Sequence, residues 1–542
     1  MNHVRLIGPA RATLLAAALS ALEGGRFAEA ERRAAEWQAR DPLDLDALLL
    51  RGLALAALGE STRAAPMLQA VAAARPGFAH PCRDLARLRA DAPPLVAQQY
   101  RACRRLAPRN TALALAYADF LRDTGRTAAC AAVLRQVLKD APRLGAAQKL
   151  YGMVLLDLGE PEAATAALRC ATVCDPQDAA AWSNLGIALK VEGRFAEAVA
   201  AHDRAVALAP QQPQVRLNRA IAYLRAGDFA AAWPDYESRL ALSATPRLPG
   251  ETLLPTLAPD TDLAGLTVFA WHEEGFGDTL QFARYLPLLA ARGARVRADV
   301  PRELERVFAT LDGVAEVLTP PAPVPHFDWH CPFFSLPRAF ATTLATIPAG
   351  VPYLRADAAL VARWAPHLPQ DGLRVGLVWA GQARPWLPGF AALDAHRSMC
   401  LATLAPLGDV PGLSLVSLQT GAPAAEARTP PAGMILADPM GLVADFADTA
   451  AIMAQLDVVV SVDTAAAHLA GALGRPVFLL DRYDACWRWL AGRDDSPWYP
   501  SLRIFRQKRM GDWAPVVEQV AAALAVMAGR PVRARPPSRP TP

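Results

Sequence analysis

Hydrophobic and polar positions follow different rules in the two halves of this chain. From about residue 10 to 240 they recur at helical spacing, in short helices broken by glycine and proline. Gly125, Gly159, Gly193 and Gly227 stand every 34 residues, and Gly25 and Gly59 are also 34 apart. Pro42, Pro76, Pro108, Pro142, Pro176 and Pro210 follow at intervals of 34, 32, 34, 34 and 34. A fixed period of this length is one supersecondary unit stacked many times. The clearest unit runs from Ala181 to Pro210. Trp182, Leu185, Gly186 and Leu189 share a face of its first helix, and Gly193 turns the chain. Ala198, His202 and Ala205 share a face of the second helix, which Pro210 stops. Gly186 and Ala198 are small where the two helices cross, while Trp182 and Leu185 fill space against the next pair. One pair cannot hide its apolar face, so the units stack into a superhelix with a concave groove.

This pattern resembles the tetratricopeptide repeat over residues 10–240, as six units and a last one ending near Leu240. The unit at 77–108 is irregular. His202 takes a position where such repeats carry an aromatic, and it reads as a packing residue, as do Met67 and Leu68. The resemblance implies that an extended peptide or partner protein binds the groove. It assigns no chemistry.

Beyond a Pro-rich connection at 244–260 the pattern changes to short apolar strands alternating with helices. Strands are predicted at 266–272, 296–300, 316–318 and 327–331, and a second series at 373–381, 413–418, 456–462 and 477–480. A final helix is predicted over 511–528, and PVRARPPSRPTP reads as a disordered tail. Such βαβ series form mostly parallel sheets, whose ligands bind outside the carboxyl ends of the strands. The predicted organisation is a repeat array at 10–240, a linker at 241–262, α/β domains at 263–365 and 366–529, and a tail at 530–542.

Composition narrows the classes. The 542 residues are 53% hydrophobic and 20% charged, with 56 Lys plus Arg against 52 Asp plus Glu. A net charge of +4 is little reason to expect a nucleic-acid partner. No run of 18 apolar residues occurs, so no membrane insertion is expected. The start of the chain superficially resembles a signal peptide, but Leu14–Leu22 continues at helical spacing into Phe27, Ala28 and Ala30. The eight cysteines include no CxxC pair, and Cys170 and Cys174 lack a second ligand pair. Neither a metal site nor a disulfide framework is expected, and reduced thiols point to the cytoplasm.

Two motifs fall at strand ends. WHEEGFGD, residues 271–278, lies between a strand and a helix. Gly275 and Gly277 let the backbone pass tightly and expose amides, and Asp278 falls in the first helical turn, where a carboxylate also serves as a cap. The third glycine of a dinucleotide fingerprint is missing. The second motif is SVDTAAAHLAGALGRPVFLL, residues 461–480. Asp463 and Thr464 start a helix whose amides suit a phosphate, with His468 one turn inside.

With these motifs in this order, the region 263–530 resembles the heptosyltransferase-like glycosyltransferases of family 9, a GT-B family. SLPRAFATTLATIPAGVPYL and DSPWYPSLRIFRQ resemble tetratricopeptide-repeat proteins with such a C-terminal region. The implied fold class is α + α/β, a repeat superhelix followed by a GT-B module of two Rossmann-like domains. The implied function is metal-independent inverting transfer of a sugar from a nucleotide-sugar donor, without a cofactor. The acceptor would be a protein such as flagellin, held by the repeats. By position Asp278 matches the general base, with His272 and Glu273 as alternatives and Glu274 beside them. Gly275, Gly277, Gly381, Gln419, Asp463, Thr464, Ala465, Ala466 and His468 fall on the donor-binding pattern. Ala465 stands where the family has glycine, and the lysine after the GLVWAG strand is absent. Arg384, Arg397 and Ser398 follow that strand instead, so Arg397 is the candidate for neutralising phosphate and Arg488 the second. His330 is a candidate acceptor contact, and Trp487, Trp489, Trp498 and Tyr499 read mainly as packing. Two other readings remain open: transfer to a lipid-linked or polysaccharide acceptor, and a non-catalytic scaffold.

Overall fold

The computed structural model describes residues 9–23, 25–42, 44–74, 111–242, 248–273, 275–382 and 394–529. The irregular unit at 77–108, Glu274, Arg384, the start of the Pro-rich connection and the 530–542 tail lie outside the described residues. The chain divides into two compact units, Met1–Ala188 and Leu189–Pro542.

The first unit is helical. Its complete described pairs are Pro9–Glu23 with Phe27–Arg40, Leu45–Ala57 with Ser61–Ala74, Thr111–Asp123 with Thr127–Asp140, and Gly145–Asp157 with Pro161–Cys174. The periodic glycines Gly25, Gly59, Gly125 and Gly159 turn each pair at φ +68°, +86°, +70° and +79°. Residues with a Cβ pay strain in that left-handed region, which explains the 34-residue repeat. The close crossing is also real. A Cβ on Gly52 would lie 2.9 Å from Leu68, and one on Gly152 would lie 2.4 Å from Leu168. In these two pairs a leucine of the second helix presses on the backbone of the first. Trp37, Leu53, Leu134 and Val154 are fully buried in this unit's core.

The second unit begins with repeat helices and continues into the α/β region. The repeat array is expected to end near 240, and its last helices lie in the second compact unit. The helices Phe195–Leu208, Pro213–Ala226 and Phe229–Tyr236 belong with the α/β half. The reason is aromatic packing. Phe229, Trp233 and Tyr236 stand 5.9, 6.1 and 6.2 Å from Trp487, and Phe229 is 6.0 Å from Trp498. The described part of the expected linker packs beside the first sheet. Leu254 and Leu257 are buried, and their amides donate to the His330 and Ala339 carbonyls at 2.8 and 2.7 Å.

His202 is fully buried on the Phe195–Leu208 helix, with both ring nitrogens lacking a hydrogen-bond partner among the described residues. Burial, helped by the Lys190 and Arg219 charges, pushes its pKa down to about 3. The neutral ring therefore stays neutral when the unfolded chain takes up a proton near pH 6.5. Stability is lost as pH falls from there toward 3, by about 1.4 kcal/mol per unit. His202→Phe removes two unsatisfied nitrogens and is expected to stabilise by about 1 kcal/mol at pH 7. It should also flatten the acid limb of urea midpoints measured from pH 7 to 5.

Two parallel sheets follow. The first holds β1 (Thr267–Trp271), β2 (Arg295–Asp299), β3 (Val314–Leu318) and β4 (Trp329–Pro332), in the order β3-β2-β1-β4. The second holds β5 (Leu373–Val378), β6 (Leu413–Ser417), β7 (Leu436–Ala437), β8 (Val458–Val462), β9 (Val477–Asp481) and β10 (Leu502–Arg506), in the order β10-β9-β8-β5-β6-β7. Every pairing is parallel. Counted within itself, the second sheet runs 3-2-1-4-5-6, the doubly wound order. β8 and β9 are buried at every position, which is why they read as unbroken apolar runs. β7 and β10 are additions to the predicted set. One is two residues long, and the other carries an exposed Arg503 inside its apolar pattern.

Candidate active site

Strand order decides where the motifs meet. The sheet reverses direction between β5 and β8, and a crevice opens outside the carboxyl ends at such a point. Val378 pairs with Ser461 across that junction. The chain just after β5 (Gly381, Gln382) and just after β8 (Asp463, Thr464) therefore leaves the sheet side by side. The WHEEGFGD motif leaves β1, which is flanked by β2 and β4 in the first sheet.

In the first motif Gly275 is the N-cap of the Phe276–Phe282 helix, with an ordinary φ of −78°. Asp278 is the third helical residue rather than the cap. Its carboxylate forms an ion pair with the Arg488 guanidinium. Arg488 also donates to Gln281 Oε1 at 2.8 Å and stacks 4.7 Å over the Trp487 ring. Burial opposes the charge of Arg488, but the Asp278 carboxylate outweighs it and holds the guanidinium firmly protonated. Arg488, the second candidate for neutralising donor phosphate, has its partner inside the protein in this structure. His272 Nδ1 lies 2.7 Å from Thr279 Oγ1. Burial lowers the His272 pKa to about 4, so the ring is neutral at pH 7. Glu273 departs from its predicted role. Its carboxylate meets Arg239 at 2.9 Å, and Arg239 also bonds Glu237 and Ser335 at 2.9 and 2.7 Å.

The second motif opens the Ala465–Ala472 helix, with Thr464 as N-cap. Thr464 Oγ1 lies 3.1 Å from Ser461 Oγ, and the Ala465 and Ala466 amides begin the helix at partly exposed positions. Asp463 Oδ1 is 4.0 Å from His468 Nε2. His468, expected on the donor-binding pattern, is buried in this structure. It stacks on Trp489 at 5.2 Å, and its Nδ1 is 3.0 Å from the Tyr499 hydroxyl. Burial takes its pKa down to about 3, against the pull of Asp463.

The two motifs, 185 residues apart, touch through Gly277. A Cβ there would lie 2.9 Å from His468 Cδ2 and 3.3 Å from Ala465 Cα. This glycine serves close helix approach between the motifs. Gly277→Val should therefore cost about 1–3 kcal/mol through overpacking. Urea unfolding measures it, with Gly250→Ala, which meets nothing within 4 Å, as the neutral control.

After β5, Arg397 lies directly over Gly381. A Cβ on Gly381 would come 2.6 Å from its Nε. Arg397 pairs with Asp394 at 2.9 Å and donates to the Gln382 carbonyl at 3.2 Å. Gln419, expected to contact the nucleotide, clamps backbone in this structure. Its Oε1 accepts from the Trp379 and Ala380 amides, both at 2.9 Å, and its Nε2 donates to the Ala380 and Thr420 carbonyls, both at 2.9 Å. His330 is buried within β4, between Trp271 Nε1 at 3.2 Å and the Pro249 carbonyl at 2.9 Å, away from the strand end. Trp487, Trp489, Trp498 and Tyr499 are buried packing residues.

The structure thus gathers Asp278, Gly277, Ala465, His468 and Arg488 at one place. Sequence reasoning missed Gln281 and Arg284. Gln281 shares a helix face with Asp278, three residues on, and that spacing was the available signal. Arg284 is buried, donates to the Trp498 carbonyl at 2.6 Å and lies 4.6 Å from the Tyr499 ring. Nothing in its sequence neighbourhood marks it.

Comparison with known proteins defines a class for the N-terminal part. The tetratricopeptide repeat model matches residues 15–77, 115–179, 149–213 and 183–249, so this part of the chain carries tetratricopeptide repeats. Such repeats are generally surfaces for protein–protein contact. A relative is Protein FlbA of Caulobacter vibrioides, 31% identical over 323 residues, which are 54% of this chain. The chain spans about half of that relative's length, 52%. Among solved structures, MamA of Desulfovibrio magneticus RS-1 is 21% identical with a TM-score of 0.27, over 30% of this chain and 92% of MamA. PilF of Pseudomonas aeruginosa is 16% identical with a TM-score of 0.27, over 44% of this chain and 93% of PilF. Among the described residues no helix is long and apolar enough to cross a membrane.

Proposed function

We propose that the chain is an inverting glycosyltransferase that moves a sugar from a nucleotide-sugar donor to a protein hydroxyl, in the cytoplasm, with the repeats gripping the acceptor. Flagellin is the first acceptor to test. The observation that carries this reading is the convergence at Gly277, where an ionised carboxylate and the start of a helix come together from distant motifs. An acid–base group and an anion-binding terminus are the two elements that this transfer needs.

In this reading the acceptor oxygen attacks the anomeric carbon while Asp278 takes the hydroxyl proton. The nucleotide diphosphate leaves from the opposite face with the bonding electrons, so the configuration inverts. Thr464 and the Ala465 and Ala466 amides hold the phosphates, and Arg397 neutralises charge beside Gly381. Arg488 pairs with Asp278 and aims its carboxylate, while neutral His468 fixes the helix crossing. Asp463 sits at the mouth of that helix, within reach of the donor's sugar or phosphate.

The test is the intact mass of flagellin co-expressed with the full chain. A gain of one or more sugar residues is expected, absent with Asp278→Asn. Sugar appearing on lipid or polysaccharide would move the acceptor class. Unmodified flagellin, together with no nucleotide-sugar binding by calorimetry, would leave the α/β half as a scaffold.

A further inference from the structure

A cavity lies away from the Gly277 crossing. It encloses about 200 Å³. Its walls come from the end of one repeat helix (Lys190), the end of another (Arg225), the segment after β9 (Tyr483, Asp484) and the end of β10 (Arg506, Gln507).

Its charges do not balance. Arg506 is paired with the fully buried Asp481 at 2.8 Å, Glu192 with Arg194 at 3.1 Å, and Asp484 with Arg482 at 3.1 Å. Among the described residues neither Lys190 nor Arg225 has a carboxylate within ion-pair distance. The Arg225 guanidinium is 8% exposed, donates only to the Cys486 and Leu490 carbonyls, and has Arg506 as a charged neighbour. Burial lowers Arg225 to about 10 and Lys190 to about 8. Two cations thus sit partly desolvated, a cost that a bound anion would offset.

Gln507 adds an independent sign. It is 3% exposed and lines the cavity. Its Oε1 is fixed by the Tyr483 and Gly511 amides at 3.1 and 3.2 Å, which sets the direction of the amide. Its Nε2 has no hydrogen-bond partner among the described residues. A buried amide donor that the protein leaves unsatisfied needs an acceptor. The cavity therefore offers donors from three sides; of its two lining carboxylates, Glu192 pairs with Arg194, and Asp484 pairs with Arg482 while also acting on Lys190.

We propose that this cavity binds a phosphate-type oxyanion, either free phosphate or the phosphoryl group of a small monoester, through Lys190, Arg225 and Gln507. Such an anion suits the available volume and would satisfy all three donors by charge-assisted hydrogen bonds. Its position has a structural consequence. Arg225 already holds the carbonyls of Cys486 and Leu490, the latter in the left-handed region at φ +52°. That same loop carries Arg488, the partner of Asp278. An occupied cavity would brace the loop from behind.

The test uses the full chain. Calorimetry compares inorganic phosphate and glycerol phosphate with chloride at equal ionic strength. Saturable one-to-one binding of a phosphate compound is expected, and the preference between the two tells which source fits. Lys190→Met and Gln507→Glu should each weaken it by about tenfold or more. A second readout needs no variant. Lys190 is one of four lysines, with Lys139, Lys149 and Lys508, and its lowered pKa makes it reactive to amine acylation. Phosphate should slow its labelling, read by peptide mass spectrometry, and leave Lys139 and Lys149 unchanged. No saturable binding, or labelling of Lys190 indifferent to phosphate, overturns the proposal.

Discussion

Arg488→Met is expected to destabilise the Leu189–Pro542 unit by about 3 kcal/mol, because it leaves the Asp278 carboxylate without its partner. The environment sets the size. Arg488 lies over Trp487 at 4.7 Å and Phe334 at 5.5 Å, and bonds Gln281 at 2.8 Å, so little water competes for the pair. Asp278→Asn strands the opposite charge and should cost a similar amount. The double variant Arg488→Met with Asp278→Asn removes both charges and should recover more than half of the summed loss. Urea unfolding of the four proteins closes the cycle. Additive losses would show that the two groups do not interact.

The second large effect is on chemistry. Asp278→Asn is expected to lower sugar transfer by roughly 10²–10⁴-fold, the contribution of a positioned general base. The assay belongs well below the melting temperature of the variant, since stability falls too. Glu273→Gln separates this role from a structural one. Its carboxylate serves the Arg239 network, so stability should drop while transfer by the remaining folded protein stays near normal. His272→Gln probes the Thr279 contact in the same way. A normal transfer rate in Asp278→Asn would falsify the assignment of the base.

Much of this was legible in the sequence because it is local. The repeat glycines follow from a backbone torsion, and positive φ at each of them is a property of one residue and its neighbours. β8 and β9 were legible because both of their faces are buried, so no polar residue interrupts them. β10 was less so, since an exposed Arg503 breaks its run. The roles of polar residues were the least legible. Gln419, Glu273, His330 and His468 carry chemistry-bearing side chains in suggestive places. Each is engaged by a partner 31 to 81 residues away: Trp379 for Gln419, Arg239 for Glu273, Pro249 for His330 and Tyr499 for His468. Spacing along the chain cannot reveal such partners.

The sequence by itself determined the helix pairs, their period, the parallel α/β character of the second half and the two motifs at strand ends. These follow from torsion preferences and from the period of apolar positions, which act over a few residues. Only the tertiary structure decided that the last repeat helices belong to the α/β body, that Gly277 spaces one motif against the other, and that Arg488 faces Asp278. Those outcomes depend on which buried surfaces meet. Aromatic packing and the pairing of buried charge are settled between segments hundreds of residues apart, after each has already formed its own local structure.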